Sequence, residues 1–165
     1  MDLEAAQAVI DLCRERGWTL ATAESCTGGL VGAALTAPAG ASDSYVGGVV
    51  AYSNDVKRSQ LGVPEQTLRR HGAVSAETAV SMASGVRQAL HADVGVSVTG
   101  VAGPGGGTEE KPVGLVYVTV ATPDRDETEK LQLGGGRDAI RSEATTAALR
   151  LLQRVLARSA TKPGV

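Results

Sequence analysis

The stretch Ala21-Thr-Ala-Glu-Ser-Cys-Thr-Gly-Gly29 is the part of the sequence around which the fold can be predicted. It lies between a β-prone run, Trp18 to Ala23, and a helical run of small residues, Leu30 to Ala37. A strand that turns directly into a helix brings Ser25 and several backbone N–H groups to a helix N-terminus, where negative charge is favoured. Such a turn suits a serine nucleophile with an oxyanion site, or a phosphate cradle. An N-capping Ser or Thr, followed by glycines that permit close packing, explains the same residues without any function.

Alternating helix and strand patterns predict the rest of the architecture. The predicted elements are a helix over 2–16 ending at Gly17, strand 18–23, helix 28–37, strand 45–53, helices 54–61 and 65–71, a helix N-capped by Ser75, strands 94–99, 113–121 and 127–133, and helix 137–158. The paired glycines of strand 45–53 suggest a bulge or a close approach. We therefore expect an α/β fold, a three-layer α/β/α sandwich with a mixed, mainly parallel sheet and a late antiparallel hairpin. One domain is expected over 1–165, with 159–165 as a frayed tail.

The composition excludes several classes of protein. There are 16 Lys and Arg residues against 18 Asp and Glu residues, and aromatic residues make up 2% with no Phe, so we expect no nucleic-acid partner. The first residues lack the pattern of a signal peptide, and no apolar run reaches the length of a membrane span, so no membrane partner is expected. Cys13 and Cys26 form neither a metal-ligand spacing nor a disulfide framework, which predicts a cytoplasmic protein.

Several catalytic motifs are missing from the sequence. Gly103 to Lys111 resembles a P-loop only loosely, because Lys111 precedes Pro112 rather than Ser or Thr. Ser25 is not part of Gly-x-Ser-x-Gly, and no lysine follows it at the third position. His71 and His91, the only histidines, form no zinc motif, and we interpret both as surface or capping residues. No metal site is therefore expected.

A serine nucleophile without a histidine needs another base, and a lysine can serve if burial lowers its pKa. Lys57 is the best candidate because it lies one turn into a helix that follows the strand ending at Ser53. In an open α/β sheet, Ser25 and Lys57 would then meet at the carboxyl edge of the strands. A solvated helix lysine is the alternative interpretation, and spacing alone does not separate Lys57 from Arg58 or Lys111.

The loop from Gly100 to Gly107 follows another predicted strand and should reach the same edge of the sheet. Its glycines leave backbone N–H groups exposed, which suits a phosphate or a carbonyl oxygen, although a flexible surface loop fits the composition equally well. We expect Thr99 at the end of the predicted strand 94–99, directly before this loop. Arg137 and Arg141 begin the last helix, where basic residues oppose the helix dipole, which indicates an anion nearby or an ion pair with Asp138 or Glu143.

Several blocks of sequence resemble one family in the correct order. They are Thr22-Ala-Glu-Ser-Cys-Thr-Gly-Gly29, Tyr52-Ser-Asn54 with Lys57, His71-Gly-Ala-Val-Ser75, and Gly100-Val-Ala-Gly-Pro104 through Glu110-Lys-Pro-Val-Gly114. The family is the CinA carboxy-terminal domain family, whose stand-alone members are nicotinamide-nucleotide amidohydrolases (PncC-like). The resemblance covers about residues 5 to 155. The amino-terminal domain of longer members is not expected in this chain.

The resemblance implies deamidation of nicotinamide mononucleotide to nicotinate mononucleotide and ammonia by a serine and a lysine, without a metal or cofactor. Ser25 matches the nucleophile, Lys57 matches the base, and Tyr52 falls on a position thought to assist. We expect the substrate to contact residues of the Ser25 turn, the glycine loop and the last helix: Cys26, Thr27, Gly28, Gly29, Thr99, Gly100, Gly103, Gly105, Gly106, Arg137 and Arg141.

The expected chemistry is attack of Ser25 on the carboxamide after neutral Lys57 takes its proton, with turn amides holding the oxyanion. Tyr52 would relay a proton to ammonia. Two alternatives stay open: a non-catalytic nucleotide-binding or regulatory module, and an amidohydrolase of another small amide. The partners expected are a small-molecule nucleotide and further copies of the chain in a homo-oligomer.

Overall fold

The computed structural model describes residues 2–162. Along the chain the elements are helix α1 (Leu3–Arg16), strand β1 (Leu20–Glu24), helix α2 (Leu30–Thr36), a 3-10 turn (Ala41–Asp43), strand β2 (Tyr45–Val50), helices α3 (Asn54–Leu61), α4 (Glu65–His71) and α5 (Ala76–Ala89), strands β3 (Val94–Gly100), β4 (Leu115–Ala121) and β5 (Asp126–Gln132), and helix α6 (Arg137–Ala157). None of these helices is long and apolar enough to cross a bilayer, within the residues described.

The five strands form one mixed sheet in the order β2-β1-β3-β4-β5. Strands β2, β1 and β3 pair in parallel, whereas β4 is antiparallel to both β3 and β5. Four strands therefore run in one direction, and β4 and β5 form the late hairpin, as predicted. The register pairs Glu24 with Val50 on one side and with Val98 on the other, so β1, β2 and β3 end together at one edge of the sheet.

Helices cover both faces of the sheet and complete the predicted three layers. On one face α1, α2 and α6 pack over a large apolar cluster that includes Ile10, Leu35 and Leu152. On the other face α5 lies on the sheet beside α3 and α4, over a smaller cluster that includes Met82 and Val86. Burial of apolar surface on both faces is what makes the inner strands nearly continuously hydrophobic.

The structure corrects several predicted ends of elements. Helix α2 begins at Leu30 rather than at residue 28, because Gly28 and Gly29 have φ values of 60° and 103°, which do not fit a right-handed helix. Strand β2 ends at Val50, and Ser53 instead caps α3 by accepting a hydrogen bond from the backbone N–H of Val56.

The bulge predicted from the paired glycines of β2 is present between Leu20 and Ala21, where the pairing with β2 shifts by one residue. A Cβ atom on Gly48 would lie only 2.1 Å from the Thr22 hydroxyl oxygen, so the predicted close approach is also found. β2 is an edge strand that exposes Val46 and Val50, whereas the other edge strand, β5, carries charged residues. The homo-oligomer stays a prediction.

The predicted frayed tail is wrong for residues 159–162. The backbone N–H of Lys162 donates to the carbonyl of Arg16, and its side chain forms an ion pair with Asp93 at 3.0 Å. These contacts join the end of the chain to α1 and to the start of β3. Residues 163–165, and Met1 of the predicted domain, lie outside the described residues.

Candidate active site

The Ser25 turn leaves the sheet where the parallel strands end. The backbone N–H of Ser25 donates to the carbonyl of Val98 at 2.9 Å, and its own carbonyl accepts from the N–H of Gly28 at 3.1 Å. These bonds join the turn to β3 and begin the approach to α2. The Ser25 side chain is mostly buried, with 9% of the residue exposed. The backbone of Ser25 is therefore fixed beside the end of β3.

Lys57 lies one turn into α3 and is buried, with only 1% of the residue exposed. Its Nζ donates to Ser25 Oγ at 3.0 Å, to the carbonyl of Ala51 at 2.8 Å, and to the carbonyl of Tyr52 at 3.4 Å. The predicted meeting of Ser25 and Lys57 is therefore confirmed in geometry. All three acceptors are neutral, and no carboxylate lies within salt-bridge distance of Lys57 in the described part of the chain.

Burial lowers the pKa of Lys57 from its ordinary value to about 8, since a charged ammonium loses hydration that neutral oxygens replace only in part. Nearby Cys26 acts weakly in the opposite direction on the Lys57 pKa. The Cys26 thiol is itself buried, which raises its pKa to about 11 and keeps it protonated near neutral pH. Ser25 and Lys57 are thus a hydroxyl and a weakly basic amine in direct contact.

Glu24, which was not predicted as a site residue, accepts hydrogen bonds from several backbone N–H groups at the start of α2. Its buried carboxylate accepts from the Thr27 hydroxyl at 2.7 Å and from the backbone N–H groups of Gly29, Val31 and Gly32 at 2.8–3.0 Å. The free amides at the start of α2 are therefore already occupied by an anion. This arrangement overturns the phosphate-cradle interpretation of the turn. The signal in the sequence was a carboxylate placed directly before a Ser-x-Thr-Gly-Gly turn.

Two amides of the turn remain without such a partner. No oxygen among residues 2–162 accepts a hydrogen bond from the backbone N–H of Cys26 or of Thr27, whereas those of Gly28 and Gly29 are used within the turn. The predicted oxyanion and substrate contacts of Gly28 and Gly29 through their amides are therefore replaced by internal bonds. The amides of Cys26 and Thr27 are the candidates that remain.

The two predicted arginines of α6 lie in different surroundings. Arg137 is exposed and donates to the carbonyl of Gly103 at 2.8 Å and to the Tyr52 hydroxyl at 3.0 Å. Arg141 is half-buried and donates to the carbonyls of Cys26 at 3.0 Å and Thr27 at 3.2 Å. The predicted ion pairs with Asp138 or Glu143 do not form in either case, because backbone carbonyls take the guanidinium groups.

A cavity of about 220 Å³ opens beside the Ser25–Lys57 pair. It is lined by residues from the three strand ends and the neighbouring loops: Ser25, Cys26, Tyr52, Lys57, Ala73, Val74, Thr99, Gly100, Ala102 and Arg137. Thr99 directs its hydroxyl to the carbonyl of Ala73 at 2.7 Å rather than into the cavity. Ala73 and Val74, which line one side of the cavity, were not predicted as site residues, although both lie in a block that carries the family resemblance.

Gly103, Gly105 and Gly106 of the glycine loop do not line this cavity. Gly103 is buried and offers its carbonyl to Arg137, while Gly105 and Gly106 are exposed, with open space where a Cβ atom would stand. The Tyr52 hydroxyl contacts Arg137, and only the carbonyl of Tyr52 reaches Lys57. A proton relay through that hydroxyl therefore stays a prediction without a direct path to Lys57. His71 and His91 are both exposed, as expected.

Comparison with solved structures finds close relatives of the whole fold. The chain is 42% identical to the competence/damage inducible protein CihA from Agrobacterium tumefaciens, with a TM-score of 0.91 over 94% of this chain and 95% of that one. It is 37% identical to the competence damage-inducible protein A (ComA) from Klebsiella pneumoniae subsp. pneumoniae, also with a TM-score of 0.91, over 94% and 97% of the two chains.

Curated relatives match the same length of sequence. A putative competence-damage inducible protein from Caldanaerobacter subterraneus subsp. tengcongensis is 52% identical over 155 residues, 94% of this chain and 38% of that protein. Another from Halothermothrix orenii is 56% identical over 146 residues, 88% of this chain and 35% of that protein. The chain thus spans little more than a third of these relatives. The model of the CinA C-terminal domain matches residues 2–156, and the chain belongs to the CinA C-terminal domain family.

Proposed function

We propose that this chain is a nicotinamide mononucleotide deamidase that works through an acyl-enzyme on Ser25. The observation that carries the proposal is the 3.0 Å contact between Ser25 Oγ and the Nζ of buried Lys57, beside a cavity. The names of the relatives refer to competence and damage induction and specify no reaction. The family resemblance supports the choice of substrate, and the geometry of the site supports the reaction class.

The contacts of Lys57 suit the role of a general base. A neutral amine has two N–H bonds and one lone pair, and two of its three neighbours are the carbonyls of Ala51 and Tyr52. When both hydrogens bind these carbonyls, the lone pair is directed at the remaining neighbour, the Ser25 hydroxyl. With a pKa of about 8, about a tenth of Lys57 is neutral at pH 7. This fraction is far larger than for an ordinary lysine.

The reaction proceeds in two steps, acylation of Ser25 and hydrolysis of the resulting ester. Lys57 takes the Ser25 proton while Oγ bonds to the carboxamide carbon, and the oxyanion is held by the amides of Cys26 and Thr27. The C–N bond then breaks, and the proton on Lys57 goes to the nitrogen, which leaves as ammonia. Water adds to the ester with Lys57 again as base, which releases the carboxylic acid and restores the Ser25 hydroxyl.

Arg137 is the group best placed to bind the 5′-phosphate. Its guanidinium lies at the mouth of the cavity, is exposed, and is held by Gly103 and Tyr52 rather than by a carboxylate. A phosphate can therefore reach its charge without first displacing an acidic partner, and planar guanidinium groups match phosphate oxygens well. The exposed glycine loop adjoins it through Gly103.

The experiment that tests the proposal measures ammonia released from nicotinamide mononucleotide by the wild type, by Ser25→Ala, and by a control, Ser42→Ala. Ser42 is an exposed serine of the 3-10 turn, so its loss should leave turnover unchanged. Ser25→Ala should abolish turnover, and intact mass measurement should detect an ester of nicotinate mononucleotide on the wild type and on Ser42→Ala but not on Ser25→Ala. Normal turnover in Ser25→Ala would contradict the mechanism.

Two other functions predict different results in the same experiment. A non-catalytic nucleotide-binding or regulatory module would bind the nucleotide, release no ammonia and never become acylated. An amidohydrolase of another small amide would turn over that amide better. Comparison with free nicotinamide separates this last case, since only the mononucleotide can use a phosphate contact at Arg137.

A further inference from the structure

The two arginines that begin α6 are only one turn apart, yet they make different contacts. Arg137 holds a side-chain hydroxyl and the carbonyl of Gly103 and stays exposed. Arg141 donates through Nε and Nη2 to two consecutive carbonyls, those of Cys26 and Thr27, directly beyond the nucleophile. The difference indicates that the two residues serve the same site in separate ways.

We propose that Arg141 is a positioning residue for the oxyanion site, because it binds the carbonyls of Cys26 and Thr27, fixes the backbone that carries the Cys26 and Thr27 amides, and polarises the Thr27 amide. This inference rests on the proposed function, since it assigns Arg141 a part in acylation of Ser25. Arg141 itself touches no reacting atom. It acts through the backbone of the turn.

Arg141 polarises the peptide group between Cys26 and Thr27. The carbonyl of Cys26 and the N–H of Thr27 belong to the same peptide group. A cationic donor on the carbonyl draws electron density towards the oxygen and makes the N–H a stronger donor, as happens in chains of hydrogen bonds. That N–H has no oxygen acceptor among residues 2–162, so its improved donor strength is available to an oxyanion.

Glu24 and Arg141 together hold the turn from both ends. Glu24 binds the Thr27 hydroxyl and the amide of Gly29, while Arg141 binds the carbonyls of the two residues after Ser25. The Glu24 carboxylate accepts hydrogen bonds from the turn, and the Arg141 guanidinium donates hydrogen bonds to it. The backbone between these contacts therefore keeps one orientation. Oriented dipoles of this kind cost no reorganisation when the oxyanion forms.

Arg141 is poorly placed to bind the phosphate of the substrate. Two of its three nitrogen atoms are committed to carbonyls, and it does not line the cavity, whereas Arg137 does. Basic residues near a helix N-terminus are electrostatically unfavourable, and the carbonyls at Arg141 offset that cost. The predicted substrate-binding arginine is thus divided between two residues.

The test compares Arg141→Ala and Arg141→Lys with a control on the same helix, Arg150→Lys, which changes an exposed arginine paired with Asp2. The rate of acylation of Ser25 is measured with p-nitrophenyl acetate, and kcat and KM are measured with nicotinamide mononucleotide and nicotinamide riboside. Thermal unfolding of each variant checks that it is folded.

Arg141→Ala should lower the acylation rate and kcat by roughly 10- to 100-fold, with KM for both nucleotides within about twofold of wild type. Arg141→Lys should lie between, since an ammonium keeps the charge but lacks the planar fork of two nitrogen atoms that reaches both carbonyls here. Methylguanidine should restore part of the acylation rate in Arg141→Ala, which a purely structural loss would not allow. Arg150→Lys should match the wild type.

Three outcomes would overturn the inference. They are full acylation in Arg141→Ala, a rise in KM confined to the mononucleotide, or no acylation of the wild type by any substrate. If the wild type fails to release ammonia from the mononucleotide but is acylated in an Arg141-dependent way, the proposed substrate is wrong and the role of Arg141 stands.

Discussion

Two buried charged side chains lie on either side of Ser25, and they are satisfied very differently. Glu24 is 2% exposed and accepts four hydrogen bonds, three of them from backbone amides. Lys57 is 1% exposed and has only neutral oxygens around it, one of them at 3.4 Å. Glu24 therefore behaves as a structural charge, and Lys57 as a group whose charged form is disfavoured.

The difference explains how one small turn can be both rigid and reactive. A buried carboxylate with enough hydrogen bonds fixes the groups around it, whereas a buried ammonium with poor partners loses its proton more easily. The first arrangement orients the backbone beside Ser25, and the second gives Lys57 the lowered pKa that the proposed base needs. Four experiments can break or sharpen this comparison.

The largest effect is expected for removal of the base. Lys57→Ala should lower kcat/KM on the order of 10³-fold or more, because Ser25 then has no group to take its proton. Lys130→Ala, an exposed lysine of β5, is the matched control and should keep wild-type activity. Ammonia release under saturating and limiting substrate gives both constants. Activity of Lys57→Ala near that of the control would remove Lys57 from the mechanism.

The next effect is the pH dependence of the wild type. If the neutral form of Lys57 is the active one, its pKa of about 8 means that kcat/KM should fall as the pH falls below 8, by about 50-fold between pH 8 and pH 6, with a slope that approaches tenfold per unit. The check is a pH–rate profile in buffers of constant ionic strength. A flat profile over that interval would mean that Lys57 does not act as the base.

A smaller effect tests Glu24 as the structural charge. Glu24→Gln keeps the shape but presents an NH₂ group where an oxygen accepted an amide, so the free energy of unfolding should fall by about 2 kcal/mol. Glu4→Gln, an exposed residue in the first turn of α1, should change it by less than about 0.5 kcal/mol. Urea denaturation of both variants gives the comparison. Equal effects in the two variants would show that the Glu24 contacts contribute little.

The smallest effect concerns the cost of burying Lys57. The unfolded chain binds its lysine proton up to an ordinary pKa of 10.5, whereas the folded protein releases it near 8, so this penalty on stability is complete below pH 8 and disappears as the pH rises to 10.5. Lys57→Met should therefore stabilise the protein at pH 7 by about 1 kcal/mol, with a smaller gain or a loss at pH 10. Urea denaturation at the two pH values measures the difference. A gain that is larger at pH 10 would contradict the lowered pKa.

Much of the fold was predictable because its signals are local. Periodic apolar residues located the helices and strands, and Gly17, Ser75 and the glycines of β2 correctly indicated a C-cap, an N-cap and a bulge. The errors occurred at ends that depend on contacts elsewhere. The tail is an example, because Lys162 is held by Asp93, which is distant in sequence.

The candidate site was predictable only in part. Ser25 follows from the strand–turn–glycine pattern, and Lys57 was placed at the same edge of the sheet by parallel-strand topology together with the family resemblance. The division between Arg137 and Arg141 was not accessible, because both are arginines near the start of α6 and lie only one turn apart. Their acceptors come from segments that only folding brings to the helix.

The sequence by itself determined the order of the elements, the mixed α/β class and the Ser25 turn between β1 and α2, because propensity, capping and hydrophobic period act over a few residues. Only the tertiary structure decided which amides of the turn stay open, which arginine reaches the cavity, and how far Lys57 is desolvated. Those properties depend on burial and on partners more than 30 residues away in sequence, such as the Lys57–Ser25 pair with a separation of 32. A hydrogen bond or a pKa is a property of the surroundings, and the surroundings exist only after the chain has folded.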